Sequence, residues 1–381
     1  TDQGNKVTKY VLSIDGGGIR GLIPAIILAT IEKQVTEKVK KYVEDEITKN
    51  KDAKLPKVDD IDVKIADLFD FVAGTSTGAI IALGLVIADE KNRPKFTAQK
   101  IVEIYEENRK KIFSKGVMKY LFSGLFQYDH KGIEDLLYEK FENKQINDSG
   151  IYKRKDDTVI KVLVPTFNIT TNKRAFFTNY GPVSEKFLQK GMCYTISSAL
   201  MKDAIRASTA APAYFKSAHL KLNEKEEEEY VDGGVFMNNP SVQAYADAKA
   251  QFGESANIVV VSFGTGFYKE LPKGIGNATA RWLISFTNHI KPMTPIVNLM
   301  MTEESITNST YLQNLLGQEH YYRFNIKLDD NIELDAIADD DIEKMKKTAD
   351  KIMKEKSPNE FVKLVEILSN HYIEKLKKGD V

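Results

Sequence analysis

The sequence is poor in cysteine: Cys193 stands alone among 381 residues. No intramolecular disulfide can brace the fold, so stability has to come from a buried core, which a chain of this length can build. A single thiol suits a reducing compartment. Long apolar runs are also missing. The longest, such as Ala79–Ala88, fall well short of the roughly 20 residues that cross a bilayer, so membrane contact is expected to be peripheral. Neither sign of charge dominates, since Lys+Arg and Asp+Glu both total 54, and nucleic acid is not expected as the main partner. No Pro- or Gly-rich linker divides the chain and no repeat recurs, so one domain is expected. Metal-ligand spacing is lacking too: Asp339-Asp340-Asp341 does not have the spacing of a calcium loop, and no cofactor or metal is expected. Thr1–Lys9 is polar and runs straight to the first apolar segment, with no signal peptide visible. Thr1 in place of Met leaves a removed leader open.

Against these absences stand two glycine-rich turns, each between an apolar run and a helical pattern. Tyr10–Ile14 reads as a buried strand and enters Asp15-Gly16-Gly17-Gly18-Ile19-Arg20-Gly21. From Leu22 onward Ile27, Ile31, Val35, Val39, Tyr42 or Val43, and Ile47 recur every three or four residues, which predicts a long helix. The acidic and lysine-rich stretch Thr48–Asp62 reads as a solvated loop. Phe69–Ala73 reads as a second strand, entering Gly74-Thr75-Ser76-Thr77-Gly78 and a helix over Ala79–Ala88. Val159–Pro165 and Ile258–Phe263 read as further strands, and Phe176–Thr178 as a short one at an edge. The Glu224–Glu229 run reads as a hairpin tip. Strands alternating with helices predict an α/β architecture, with a largely parallel sheet and helices on both faces. The tail from Asp339 to Lys378 predicts two amphipathic helices packed outside.

Gly-x-Ser-x-Gly between a strand and a helix is the context of a nucleophile elbow, which lifts the Ser76 hydroxyl clear of the sheet. A serine nucleophile needs a base, and the five histidines (His130, His219, His289, His320, His371) all lie outside constrained turns. Asp232 differs. It closes Tyr230-Val231 and enters Gly233-Gly234, a common hairpin feature that would also aim a carboxylate off a strand end. Held dry against a serine, such a carboxylate accepts its proton without an imidazole. The first turn, Gly16-x-Gly18-x-x-Gly21, satisfies a dinucleotide fingerprint. The acidic residue required about 20 residues later falls inside the long helix, however, and that reading fails on spacing. Backbone N–H groups of Gly17 and Gly18 facing an anion remain, with Arg20 nearby to hold the loop or assist. In acyl transfer that anion is the tetrahedral oxyanion.

With these motifs in order, the chain resembles the patatin-like phospholipases, which pair Asp-Gly-Gly-Gly-x-Arg/Lys-Gly with Gly-x-Ser-x-Gly and a downstream Asp-Gly-Gly/Ala. Ala207–Phe215, Ser262–Gly266, Thr166-Phe167-Asn168, Asn172-Lys173 and Tyr321-Tyr322-Arg323 extend the likeness over about Tyr10 to Lys327. Ala79, where many members have glycine, and Val235–Pro240 depart from the pattern. The resemblance implies a three-layer patatin-like fold, with an extension over 1–9, the phospholipase domain over 10–327 and a helical extension over 328–381 packed on it. It implies Ser76 as nucleophile, Asp232 as general base, and Gly17, Gly18 and Arg20 as the oxyanion loop. Gly16, Gly21, Gly74, Gly78, Gly233 and Gly234 complete the motifs. The activity implied is acyl hydrolysis of membrane or aggregated phospholipids or glycolipids by a soluble enzyme, in the cytoplasm or delivered to a target membrane, with an activator left open. Two rivals are an α/β-hydrolase using a Ser–Asp–His triad, with His289 or His320 as the base, and a non-catalytic lipid-binding or storage protein. The aromatic stretch Phe113–Tyr128 is expected either to join the core or to cover the acyl pocket.

Overall fold

The computed structural model describes residues 7–50, 55–113, 128–181, 191–212, 214–222, 226–267, 294–329 and 332–381. Among the described residues, nine strands form one sheet: β1 (Thr8–Ile14), β2 (Phe71–Gly74), β3 (Lys161–Asn168), β4 (Lys173–Thr178), β5 (Cys193–Ile196), β6 (Ala218–Leu220), β7 (Glu228–Asp232), β8 (Asn257–Phe263) and β9 (Tyr321–Phe324). Along the sheet the order is β5-β4-β3-β2-β1-β8-β9, and β3, β2, β1, β8 and β9 are all parallel. β4 and β7 pair antiparallel to β3, and β5, parallel to β4, runs in their direction.

Alternation along the strands assigns side chains to two faces. Leu12 and Ile14 of β1 join the larger core, with α1 (Leu22–Lys49), α3 (Thr77–Val86) and α4 (Ala98–Ile112). Val11, Phe71, Leu163 and Val260 face the other way, toward Ala244 and Ala248 of α7 (Ser241–Phe252) and Leu312 of α8 (Thr294–His320). Helices therefore cover both faces of a mostly parallel sheet, the three-layer arrangement expected. The short α2 (Ile65–Leu68) precedes β2, while α5 (Lys131–Phe141) and α6 (Met201–Ser208) lie on the larger core. The tail forms α9 (Asp339–Lys351) and α10 (Pro358–Lys378), whose Met345, Leu364 and Leu368 are fully buried in that core.

Two features differ from the sequence reading. The segment around Phe176–Thr178 is not an edge strand, because β5 pairs parallel to β4 outside it. Cys-Tyr-Thr-Ile is short and half-buried, so it carries no apolar run to announce it. The long helix also continues to Lys49, and Val58–Asp60 forms a 3-10 turn within the stretch read as loop.

Topology brings the motifs together. The chain moves from β1 to β2 and β3 on one side and later fills β8 and β9 on the other, so the order reverses at β1. Crevices at the carboxyl ends of strands beside such a reversal are where open α/β sheets build their sites. The residues after β1, β2 and β8 all emerge there. β3 pairs with β2 over Lys161–Leu163 and with β7 over Thr166–Asn168, while β4 occupies its opposite edge. β7 thus prolongs the line of β2 from the far end, running toward it. Its last residue, Asp232, arrives at the turn that follows β2.

Candidate active site

Ser76 sits at the point of that turn with φ 54° and ψ −122°, a strained conformation for a non-glycine residue, costing on the order of 1–3 kcal/mol. The flanking glycines permit it. A Cβ on Gly74 would stand 2.1 Å from the Gly78 carbonyl oxygen, and one on Gly78 would stand 2.2 Å from that of Ile14. Ser208 of α6 steadies the elbow from below: its Oγ accepts from the Ser76 N–H at 3.0 Å and donates to the Pro165 carbonyl at 2.7 Å. The sequence reading passed over Ser208, although it lies in the Ala207–Phe215 run.

Asp232 hydrogen-bonds to the Ser76 side chain and accepts from the Gly234 N–H at 2.7 Å. Gly233 must be glycine there, since a Cβ would lie 2.3 Å from the Pro165 carbonyl oxygen. Burial pushes the Asp232 carboxyl up to about 7, against the lowering effect of those two hydrogen bonds. That is the range in which a carboxylate serves as a base near neutrality. Among the described residues no histidine lines the pocket beside this pair. His371 packs against Tyr10 with the rings tilted and their centroids 4.4 Å apart, and burial lowers it to about 3. His130 precedes α5, His219 is exposed between Glu227 and Glu229, and His320 ends α8. His289 lies outside the described residues.

The glycine turn after β1 is anchored on every side. Gly16 N–H donates to the Asn238 carbonyl at 3.0 Å and Ile19 N–H to the Leu334 carbonyl at 2.8 Å. Thr265, in the turn after β8, donates its hydroxyl to the Gly16 carbonyl at 2.7 Å and fills the space that a Cβ on Gly17 would need. Asp15 forms a buried two-pronged ion pair with Arg323, and Ser305 of α8 donates to the same carboxylate at 2.7 Å. Burial works against the Arg323 charge, but Asp15 outweighs it and the guanidinium is held more firmly protonated. Among the described residues no acceptor takes the N–H groups of Gly17 and Gly18. Gly18 has φ 58° and lines the same pocket as Ser76 and Asp232. Arg20 is buried in the 3-10 turn that follows and is not among the pocket's lining residues.

A strained serine, a buried carboxylate bonded to it and an open glycine turn at one crevice are the parts of an acyl-transfer site. The patatin-like phospholipase family matches residues 12–245, which span the glycine turn, the elbow and Asp232. The chain belongs to this family. Patatin-like protein 2 of Arabidopsis thaliana is 28% identical, over 92% of this chain and 84% of its own length. Patatin-07 of Solanum tuberosum is 30% identical, over 82% of this chain and 75% of its own length. Family membership supports lipid acyl hydrolysis in general, and the fold is the patatin-like one that the motifs implied. Thr265, Met301, Arg323 and Leu334 lie beyond the matched stretch yet touch the site.

The patatin-like pocket of this chain has a volume of about 690 Å³, its open mouth included. Ile80, Ile112, Phe113, Ile133, Phe215 and Met301 give it an apolar lining. Thr77 and Tyr105, also in the wall, satisfy their hydroxyls on each other, and Tyr105 donates as well to the Thr77 carbonyl at 3.1 Å. Among the described residues, the ionisable groups in the wall are Asp232 and the tyrosines. A hydrocarbon chain fits such a surface, with an ester placed at Ser76. Of the aromatic stretch expected either to join the core or to cover the pocket, 114–127 lies outside the described residues. Its two ends are buried: Phe113 lines the pocket, and Tyr128 meets it edge-on with ring centroids 5.5 Å apart. No helix among the described residues is long and apolar enough to cross a membrane.

Proposed function

We propose that the chain is a serine lipid acyl hydrolase of phospholipase A or lysophospholipase type, working through a Ser76–Asp232 dyad and an acyl-enzyme. Ser76 Oγ attacks the ester carbonyl carbon and its proton passes to the Asp232 carboxylate. The oxyanion is met by the Gly17 and Gly18 N–H groups. Collapse breaks the ester C–O bond, and Asp232 returns the proton to the departing alcohol, a lysolipid or glycerol moiety. Water then attacks the acyl carbonyl, again giving its proton to Asp232, and the fatty acid leaves as Ser76 is regenerated. Arg20, buried behind the turn, would hold the loop in place.

The observation that carries this reading is the placement of the strained Ser76 and the buried Asp232, its carboxyl raised to about 7, in the wall of one apolar pocket. Substrates would be phospholipids or glycolipids in membranes or aggregates, met by peripheral contact. In terms of chain organisation, 10–327 would form the phospholipase domain and 328–381 a helical extension on it. The test is hydrolysis of a lipid panel by the purified protein. Ser76→Ala and Asp232→Asn should each abolish turnover with the fold intact, and the double variant should be no worse than either, since the pair acts as a unit. Turnover that survives Asp232→Asn and is lost on replacing His289 or His320 would instead establish a triad. A wild-type protein that binds lipid and cleaves none would establish the storage reading.

A further inference from the structure

Residues 332–338, leading into α9, cross the active site as a strap. Ile332 and Leu334 are buried, and a turn closes from the Ala336 N–H to the Glu333 carbonyl at 3.1 Å. Among the described residues, three ties hold the strap. The Leu334 carbonyl accepts the Ile19 N–H at 2.8 Å. The Ile337 carbonyl accepts Nε of Arg109, from α4, at 3.0 Å, and the same guanidinium pairs with Asp339 at the start of α9. The Tyr128 hydroxyl bonds to the Asp335 carboxylate. This strap lies well outside the stretch that the family matches.

Leu334 meets the site through both its backbone and its side chain. A Cβ on Gly18 would stand 2.1 Å from the Leu334 carbonyl oxygen, so that carbonyl closes on the glycine whose left-handed φ shapes the oxyanion turn. By taking the Ile19 N–H it fixes the turn while leaving the N–H groups of Gly17 and Gly18 open. Its Cβ packs over Gly18, and the residue lines the pocket together with Ser76, Gly18 and Met301.

Building on the acyl-hydrolase reading, we propose that Leu334 is a positioning residue for the oxyanion turn and a determinant of acyl-chain preference. The strap's anchors at Arg109 and Asp335 hold it to both tasks. Misplacing a reacting geometry by about 1 Å costs on the order of 100-fold. A single methylene in an apolar pocket is worth about 10- to 200-fold in discrimination.

The experiment compares butyryl, octanoyl and palmitoyl esters of one alcohol, with Ser76→Ala as the blank. Leu334→Ala and Leu334→Phe should shift the palmitoyl-to-butyryl ratio of kcat/KM by about tenfold in opposite directions. Arg109→Met combined with Asp335→Asn loosens the strap and leaves the pocket's lining residues in place. It should lower kcat about tenfold on every ester with little change in KM. The same chain-length ratio in wild type and both Leu334 variants would overturn the specificity role. Wild-type kcat in the strap variant would overturn the positioning role. If Leu334→Ala does not fold, Leu334→Val, smaller by one methylene, carries the same comparison with Leu334→Phe. Hydrolysis persisting in Ser76→Ala would defeat the nucleophile assignment, whatever the Leu334 variants do.

Discussion

Asp232→Asn should disable the enzyme and stabilise the protein, and the stabilisation should depend on pH. The carboxyl has a pKa of about 7 in the folded protein against a usual 3.8, chiefly because burial disfavours its charge. Between these values the folded state keeps a proton that the unfolded chain has released. Wild-type stability therefore falls as pH rises through this window and levels off above the folded pKa. A gap of roughly three pH units corresponds to on the order of 4 kcal/mol. The variant carries no ionisable group at this position and escapes the loss, and its side-chain oxygen can still accept from the Gly234 N–H. Its amide N–H must find an acceptor, at a cost of about 1–3 kcal/mol if it does not, but this cost is independent of pH. Glu32 and Glu304 are also raised by burial, to about 7 and about 8, and they slope alike in both proteins and cancel in the difference. Urea unfolding of both proteins from about pH 4.5 to about pH 8 should show the variant gaining several kcal/mol on wild type. A stability difference that is flat across that range would refute the account of a carboxylate held dry against the serine.

Gly78→Ala places a methyl 2.2 Å from the Ile14 carbonyl oxygen, a backbone atom that cannot step aside. The elbow should shift, lowering stability by about 1–3 kcal/mol and removing most turnover. A melting temperature and kcat equal to wild type would show that the elbow does not need that approach. Arg323→Met strands the buried Asp15 carboxylate and should cost about 3–5 kcal/mol in urea unfolding. Adding Asp15→Asn should restore much of the loss, and no recovery in the double variant would mean that the two side chains do not act as a pair.

The parts of this site that could be read from sequence are those whose signal is local. The elbow shows itself because Gly74 and Gly78 flank Ser76 within five residues, each glycine being demanded by a backbone carbonyl at contact. Apolar runs announced β1, β2 and β8 for the same reason: parallel strands covered on both faces must be apolar throughout. Asp232 was visible only as a turn residue. Its meeting with Ser76 depends on β7 pairing back along β3 at the end of β2, and no property of the Tyr-Val-Asp-Gly-Gly segment encodes that pairing. Distance in sequence hides more. Asp15 and Arg323 are 308 residues apart, and either one alone is an ordinary charged residue. Leu334 is the extreme case. It holds the oxyanion turn with a main-chain carbonyl, a group that every residue carries, from within a polar Glu-Leu-Asp segment. A role played by the backbone leaves no side-chain signature, and only the fold brings it into view.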